Sequence, residues 1–348
     1  TSKRLVRFSR SLFGWAPGGL GVVALVTCAF FTALTGATGI TIIALGGLLF
    51  PALISEKYSE NFSLGLMTTS GSLGLHFPPS LPIILYGFVS GTSIEKLFIA
   101  GLLPGLLILG VLCLFSVYMG MKWDLERPSF SIHAFLSALK GAAWELPIPI
   151  LIVAGIYSGL STATEAAALT VGYVLFVKIV IFKELNLFID LPRIMKESIK
   201  MVGGIMIILG AALGFTNYLV DAFIPMKILK LLEGMVASKI GFLLALNVFL
   251  ILVGCMMDIF SAILVVAPLV IPLASRFGID PVHLGIIFLA NLGIGYNTPP
   301  VGLNLFIASS RFDRPIVLLY KATLPFLLFL LLTLLLITYW PGLSLMLP

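Results

Sequence analysis

The segment Asn291-Leu-Gly-Ile-Gly-Tyr-Asn-Thr-Pro-Pro-Val-Gly302 is the most informative part of the sequence, because it places a polar helix breaker inside the apolar run 282–310. Its two consecutive prolines remove two amide donors, and its glycines let backbones approach each other closely. Unpaired backbone groups that face lipid are costly, so such a break persists only where protein or a water-filled cavity supplies hydrogen-bond partners. The stretch is therefore predicted to form a re-entrant or broken-helix turn that lines a binding site.

A second copy of this pattern lies in the N-terminal half, at Ser70-Gly-Ser-Leu-Gly-Leu-His-Phe-Pro-Pro-Ser80. Interrupted apolar segments at matching positions in two halves are the best sequence indication of a transporter binding site. The two copies align without a gap at one constant offset, which pairs Ser70 with Asn291, Ser72 with Gly293, Gly74 with Gly295, Pro78 with Pro299, Pro79 with Pro300 and Pro51 with Pro272.

The composition is that of an all-α polytopic membrane protein. Hydrophobic residues make up 59% of the chain and charged residues only 10%, with a mean hydropathy of +1.15, whereas soluble domains carry about 25% charged residues. A spanning helix needs roughly 20 apolar residues, and barrel strands would be shorter and alternate. Charge-free stretches near or above that length cover residues 11–55, 97–121, 146–164, 201–220 and 322–348.

The net charge of +6 does not indicate nucleic-acid binding, because the cations are scattered at the ends of apolar spans. By the positive-inside rule, Lys3, Arg4, Arg7 and Arg10 before the first span predict a cytoplasmic N-terminal segment. The three cysteines match neither a metal nor a disulfide spacing. The sequence contains no H-E-x-x-H, G-x-S-x-G or P-loop motif, so neither a cofactor nor an enzymatic activity is expected.

The order of segments predicts two repeats, each with a spanning helix, a polar break, a half-span, a surface turn and a re-entrant hairpin with a Pro-Pro tip. Whether the two repeats are parallel or inverted depends on whether an odd or even number of crossings separates them. Inverted repeats are the commoner arrangement around a midplane site and are preferred here. The predicted divisions are 1–95 with the hairpin around Pro78-Pro79, a scaffold-like segment 96–200 with an interfacial arm, 201–310 with the hairpin around Pro299-Pro300, and a final span in 311–348.

Broken helices offer two kinds of ligand. Their N-termini present amides that suit an anion, and their C-termini and turns present carbonyls that, with hydroxyls, suit sodium. The competing explanation is that small polar residues only allow close helix packing. The candidate residues are Thr35, Gly36, Ala37, Thr38, Ser70, Ser72, Gly74, Pro78, Pro79 and Ser80 in the first half, and Asp258, Ser261, Asn291, Gly295, Asn297, Thr298 and Pro299 in the second.

Asp258 is the strongest single candidate, because an ionisable group within an apolar stretch is costly in a bilayer unless it has a function. It would coordinate a cation or carry a proton; at the membrane surface it would simply be hydrated. Glu165, near a possible helix start, is a weaker candidate. His76 has no second histidine nearby and is expected to fill space.

The chain resembles, over essentially its whole length, the large membrane subunit of the tripartite ATP-independent periplasmic (TRAP) transporters. The Thr-Pro-Pro-Val-Gly context is the most specific of the shared motifs. These motifs are Asp258, Gly278-Ile-Asp-Pro281 and Gly295-x-x-Thr-Pro-Pro-Val-Gly302, together with Phe77-Pro-Pro-Ser80, Ile84-Leu-Tyr-Gly87, Gly101-Leu-Leu-Pro-Gly105 and Thr164-Glu-Ala-Ala167.

The resemblance implies a sodium-driven importer of the bacterial inner membrane with an elevator-type fold. It implies two partners, a small four-helix membrane subunit and a periplasmic binding protein that delivers an organic anion such as a C4-dicarboxylate or sialic acid. By resemblance, 36–38 with 70–74 would form one sodium site, and Asp258 with 291–298 the other. Thr35-Gly-Ala-Thr-Gly39 departs from the serine-rich family version. Family members usually have about three more helices before the position of Lys3, so the resemblance implies either a fragment or a split subunit, with part of the scaffold supplied from elsewhere.

Sodium-coupled import is therefore the favoured function. A single-component carboxylate permease or a passive channel with the same broken helices is the alternative, and flux independent of a sodium gradient would indicate it. An intramembrane enzyme is a third hypothesis, which predicts chemical change of the solute.

Overall fold

The computed structural model describes residues 2–125, 131–144, 147–148, 154–155, 162–221 and 238–348. All regular secondary structure in these ranges is helical, which confirms the all-α prediction. The helices are α1 (Ser2–Phe13), α2 (Gly19–Thr35), α3 (Thr38–Ser55), α4 (Glu60–Ser70), α5 (Leu81–Ser90), α6 (Ile94–Lys122), α7 (Ile132–Ala142), α8 (Ala163–Phe176), α9 (Asp190–Asp221), α10 (Lys239–Met256), α11 (Ile259–Arg276), α12 (Pro281–Gly295), α13 (Leu303–Phe312), α14 (Ile316–Tyr339) and α15 (Gly342–Leu345), with a 3-10 turn at Leu73–His76 and a π turn at Val177–Ile181.

Six helices of the described ranges are long and apolar enough to cross a membrane, or seven spans if α4 and α5 count as one. Most of the charge-free stretch 146–164 lies outside the described residues. The interfacial arm predicted within 96–200 stays a prediction, since no membrane is present in the structure. Residues 190–200 are the first part of the single helix α9, which continues to Asp221.

The two halves repeat the same order of helices. The offset that pairs Pro78 with Pro299 also pairs the start of α3 with the start of α11, and the start of α4 with the start of α12. The pairs α2 and α10, α5 and α13, and α6 and α14 correspond within one residue of that offset. The internal repeat predicted from the Pro-Pro pattern therefore extends over five helices in each half.

Helices α2 and α3 form a hairpin, here called hairpin 1. The chain turns at Gly36, which adopts the left-handed conformation (φ 65°) that favours glycine at the end of a helix. The hydroxyls of Thr32 and Thr41 lie 2.6 Å apart across the turn, although nine residues of continuous helix would separate them by about 13 Å. At the open end, the Gly21 amide donates to the Tyr58 hydroxyl. Helix α2 therefore begins where α3 ends.

Helices α10 and α11 form the equivalent hairpin 2, which turns at Met257-Asp258. At its open end, Lys239 Nζ donates to the carbonyl of Gly278 at 3.1 Å. The rings of Phe242 and Phe277 stack there with their centroids 4.4 Å apart. Both contacts join the start of α10 to residues just after α11, so this pair also enters and leaves at one end.

The segments with the Pro-Pro turns are broken spans, and the prediction that placed the hairpins at 78–79 and 299–300 is wrong. The first segment, Glu60–His76 with α5, bends by only 46°, whereas a hairpin reverses direction. Helix α4 starts near the end of α6, where the ring centroids of Phe62 and Trp123 lie 5.2 Å apart. Helix α5 ends at the other end of α6, because the chain passes directly from α5 into the start of α6. The physical reason is that a Pro-Pro pair interrupts amide hydrogen bonding without requiring the chain to reverse.

The two hairpins open toward opposite ends of the molecule. Hairpin 1 opens beside Glu60, whose carboxylate pairs with Arg314 at 2.6 Å, near the start of α14. Hairpin 2 opens beside His283, whose Nε2 lies 3.2 Å from the carbonyl of Thr338, near the other end of α14. We call these the Glu60 end and the His283 end. The repeats are therefore inverted, the arrangement that many transporters build around a midplane site.

Helix α1 packs at the Glu60 end. Its Arg10 pairs with Glu56 at 2.6 Å, and its Phe8 ring lies 6.1 Å from Phe135 of α7. By the positive-inside rule, the charge distribution indicates that this end is cytoplasmic. The Glu60 end carries Arg4, Arg7, Arg10, Lys57, Lys122, Arg311 and Arg314, and the His283 end carries Lys96, Lys239 and Arg276.

Candidate functional site

The tip of hairpin 1 lies against the first span break. The Thr32 hydroxyl donates to the carbonyl of Gly71 at 2.9 Å, just after α4 ends. On the other side of the tip, Gly36 packs against the start of α5, because a Cβ added to Gly36 would lie 3.0 Å from the Cβ of Leu81. The tip therefore fits between the two helices that the break separates.

Two helix N-termini meet at this contact. Helix α3 begins at Thr38 after Ala37, which supplies no side-chain cap, and α5 begins after Ser80. The Ser80 hydroxyl is fully buried and has no hydrogen-bond partner among the described residues. Uncapped amides at helix N-termini favour a negatively charged group. Of the predicted first-half residues, Gly36, Thr38, Ser70, Ser72, Gly74, Pro78 and Ser80 are buried, Ala37 and Pro79 are half-buried, and Thr35 is exposed.

Asp258 caps helix α11 at the tip of hairpin 2. Its Oδ1 accepts hydrogen bonds from the amides of Phe260 at 3.0 Å and Ser261 at 3.1 Å, the usual role of an N-cap aspartate. The residue is exposed within the described structure, so its carboxylate is not enclosed by other parts of the chain. The amide of Ile259 donates to the hydroxyl of Tyr296, which ties this tip to the second break.

A line of buried amide side chains joins the two breaks. Asn297 Nδ2 donates to Ser72 Oγ at 3.0 Å and to the carbonyl of Gly293 at 2.9 Å. Asn304 Nδ2 donates to Asn297 Oδ1 at 3.1 Å and reaches the carbonyl of Thr68 at 3.5 Å. Buried polar groups are stable only when they are paired in this way. Ser72 and Asn297, two of the predicted residues, are therefore brought together.

Other predicted residues of the second half have local partners. Asn291 lies earlier on α12, where its Nδ2 donates to Asn247 Oδ1 and to the carbonyl of Ile287, both at 2.8 Å. The hydroxyl of Thr298 donates to the carbonyl of Ile294. Pro299 is exposed, and its peptide bond to Pro300 is cis, as is the bond between Pro78 and Pro79. Asn291 therefore joins α12 to α10 instead of reaching the central contact.

Tyr296 and Asn304 belong to this centre but were not among the predicted residues. Tyr296 stands inside the motif that marks the second break, and Asn304 is a lone polar residue on an otherwise apolar stretch. Either feature could have drawn attention to the residue. Within the described ranges, no group of three or more His, Cys, Asp or Glu residues could hold a metal ion.

Two inverted repeats, each with a hairpin tip against a broken span, define the class of secondary membrane transporters. Residues 1–343 match the family described as "Tripartite ATP-independent periplasmic transporter, DctM component". The chain therefore belongs to the DctM family of TRAP transporter large permeases, as the resemblance in its motifs predicted.

Similar proteins support this membership. The C4-dicarboxylate TRAP transporter large permease protein DctM of Pseudomonas aeruginosa is 36% identical, over 100% of this chain and 81% of the relative. The ectoine TRAP transporter large permease protein TeaC of Halomonas elongata is 34% identical, over the same shares of the two chains. The YdaH transporter structure of Alcanivorax borkumensis has a similar fold, with a TM-score of 0.64 at 16% identity, over 97% of this chain and 84% of that chain.

Family membership fixes the broad role of the protein. It is a multi-pass inner membrane transporter and not an enzyme. Membership also implies a small membrane subunit and a periplasmic binding protein as partners.

Proposed function

We propose that the chain performs sodium-coupled secondary active import of an organic anion that a periplasmic binding protein delivers. The observation that carries this proposal is the meeting of both hairpin tips and both span breaks, linked through Asn297 and Ser72. Neutral oxygens and helix N-terminal amides lie together there. Oxygen ligands suit hard cations, and amides suit carboxylates.

The two sodium ions would sit where each tip meets its break. The first site draws on the carbonyls and hydroxyls of 35–38 and 70–74, with Ser80 beside it. The second draws on Asp258, Ser261 and 295–299, where the Asp258 carboxylate supplies the negative charge. A carboxylate substrate would bind between the tips, at the free amides of α3 and α5. Sodium bound first would hold each tip against its break and so shape the substrate site.

An elevator motion fits the packing of the helices. The two repeats interlock, since α5 packs on α11 and α13 packs on α3. The hairpins and broken spans would therefore move as one body. The span Thr164–Ile181 is a candidate for the fixed scaffold, because only 11% of it is buried, against 39% to 50% of the other spans.

Uptake into proteoliposomes tests the proposal. The transporter, with its small subunit and binding protein, would be offered labelled organic acids, including C4-dicarboxylates and sialic acid, with and without an inward sodium gradient. Uptake that requires both the gradient and the binding protein supports the proposal. Uptake that needs neither would instead indicate a single-component carboxylate permease or a passive channel.

A pair of matched threonine variants tests the second sodium site. Thr298 and Thr170 each donate a hydroxyl hydrogen bond to the carbonyl four residues earlier, but only Thr298 lies at a break. Thr298→Ala is expected to raise the half-saturating sodium concentration, and Thr170→Ala is expected to leave it unchanged. Equal sodium dependence in both variants would remove Thr298 from the site.

A further inference from the structure

A path of hydrogen bonds leads from the tip of hairpin 2 to the centre of the molecule. It begins where the Ile259 amide donates to the Tyr296 hydroxyl. The backbone carbonyl of Tyr296 then accepts from the amide of Asn304 at 3.1 Å. The Asn304 side chain continues the path, because its Nδ2 donates to Asn297 Oδ1.

The same path continues to the tip of hairpin 1. Asn297 Nδ2 donates to Ser72 Oγ in the first break. The residue before Ser72, Gly71, accepts the hydroxyl hydrogen bond of Thr32 in hairpin 1. Asn304 joins the two parts of the path. Its backbone amide donates to Tyr296 in the second half, and its side chain contacts the carbonyl of Thr68 in the first half.

The side chain of Asn304 is not explained by packing alone. It is fully buried, and its Oδ1 has no hydrogen-bond partner among the described residues. Leaving a buried amide oxygen unpaired is costly, and an apolar residue of similar volume would avoid that cost. Its Nδ2, by contrast, contacts both Asn297 and the carbonyl of Thr68, one group from each repeat.

We propose that Asn304 is a positioning residue that couples the two sodium sites. An ion bound at one tip fixes the orientation of the Asn297–Asn304 amide pair, and this orientation favours the ion-binding geometry at the other tip. The inference rests on the proposed function, in which both tips bind sodium. Coupling between two sites typically changes affinity by roughly 5- to 150-fold, and it acts equally in both directions.

Sodium titrations of Asn304→Leu and Asn304→Ser test the coupling. Leucine removes the amide at similar volume, and serine keeps a small polar group that is too short to bridge the repeats. Thr338→Val is the matched control, because it removes a hydroxyl from the other buried amide contact, that of Asn247. Each variant of the complete transporter would be titrated in two ways, by uptake and by sodium-dependent thermal stabilisation against choline.

The wild type and Thr338→Val are expected to show a Hill slope clearly above one and below the limit of two set by two sites. Both Asn304 variants are expected to show a slope close to one with weaker sodium affinity. If an Asn304 variant that inserts into the membrane keeps the Hill slope of the wild type, Asn304 does not couple the sites. The proposed sodium dependence of transport would still stand. An equal loss of slope in Thr338→Val also overturns the coupling, because the effect would then be general. A wild type without sodium dependence overturns the proposed function, and the coupling with it.

Discussion

Gly295 lies directly against Gly254, since a Cβ added to Gly295 would lie 2.7 Å from the Cα of Gly254. The contact brings the broken span α12 against the hairpin arm α10, backbone to backbone. In the first half Gly74 makes the same contact with Ala33, whose amide nitrogen would lie 2.4 Å from a Cβ on Gly74. Because the offset between the repeats pairs Gly74 with Gly295 and Ala33 with Gly254, the structure builds this approach twice.

Alanine at either glycine is expected to destabilise the transporter. An added methyl group would meet backbone atoms that cannot move aside, and overpacking of this kind costs about 1 to 3 kcal/mol. Gly295→Ala and Gly74→Ala should therefore lower the melting temperature of the purified protein. Gly110→Ala on α6 is the control, because nothing lies within 4 Å of its added Cβ. If the Gly295→Ala and Gly110→Ala proteins had the same melting temperature, the close contact would be contradicted.

The breaks could be predicted from the sequence, but the reversals of direction could not. Two prolines stop helical hydrogen bonding whichever way the chain continues, so 78–79 and 299–300 mark breaks without distinguishing a bend from a hairpin. Hairpin 1 depends on the positive φ of Gly36 and on contacts between residues on opposite sides of the turn, such as Thr32 and Thr41. Small residues at 35–39 permit this reversal without requiring it.

Only part of the site could be predicted from the sequence, because its other contacts also depend on residues that are distant in the chain. Ser72 and Asn297 stand beside breakers, so their residue types and positions indicate a polar centre. The contacts of Asn304 depend on Thr68, which lies 236 residues away in sequence. Asn291 is the opposite case. Its residue type and its position in the motif predict a site residue, but its side chain hydrogen-bonds to Asn247 on α10. A local pattern cannot distinguish a residue at the break from one that lies along the same helix before it.

The inverted repeats predict opposite accessibility of two serines that lie on equivalent helices. Ser55 and Ser275 are exposed residues near the ends of α3 and α11, and each donates to a carbonyl in its own helix. In a chain whose native cysteines are replaced, Ser55→Cys should react with a membrane-impermeant thiol reagent from the cytoplasmic side. Ser275→Cys should react from the periplasmic side. Labelling of both from one side would require parallel repeats.

Two asparagine variants should separate stability from sodium binding. Asn291→Leu breaks the bond to Asn247 and leaves that buried amide with one partner fewer, a loss of about 1 to 3 kcal/mol. Its melting temperature should fall while the half-saturating sodium concentration stays near that of the wild type. Asn297→Leu should instead raise that concentration, because it cuts the link to Ser72. A clear sodium defect in Asn291→Leu would extend the second site along α12.

Glu184 should make a small contribution to stability that depends on pH. The hydrogen bond from Lys178 at 2.6 Å, and then that from Arg4 at 3.0 Å, hold the pKa of this carboxyl below its ordinary value of 4.5. A pKa lowered by folding stabilises the protein above the ordinary value, and this stabilisation is lost as the pH falls through the folded value. Because the group is partly exposed, solvent screening limits the effect to at most about 1 kcal/mol.

Glu184→Gln should therefore melt slightly below the wild type at about pH 7, and the difference should shrink as the pH falls below the ordinary carboxyl pKa of 4.5. Glu197→Gln is the control, because its pair with Arg193 on α9 is much more exposed and an exposed pair within one helix contributes little. Since Arg4 lies on α1 and Glu184 after the π turn, the variant also measures how firmly α1 is held at the Glu60 end. A difference that stays constant over this pH range would show that the glutamine acts through packing and not through the lost charge.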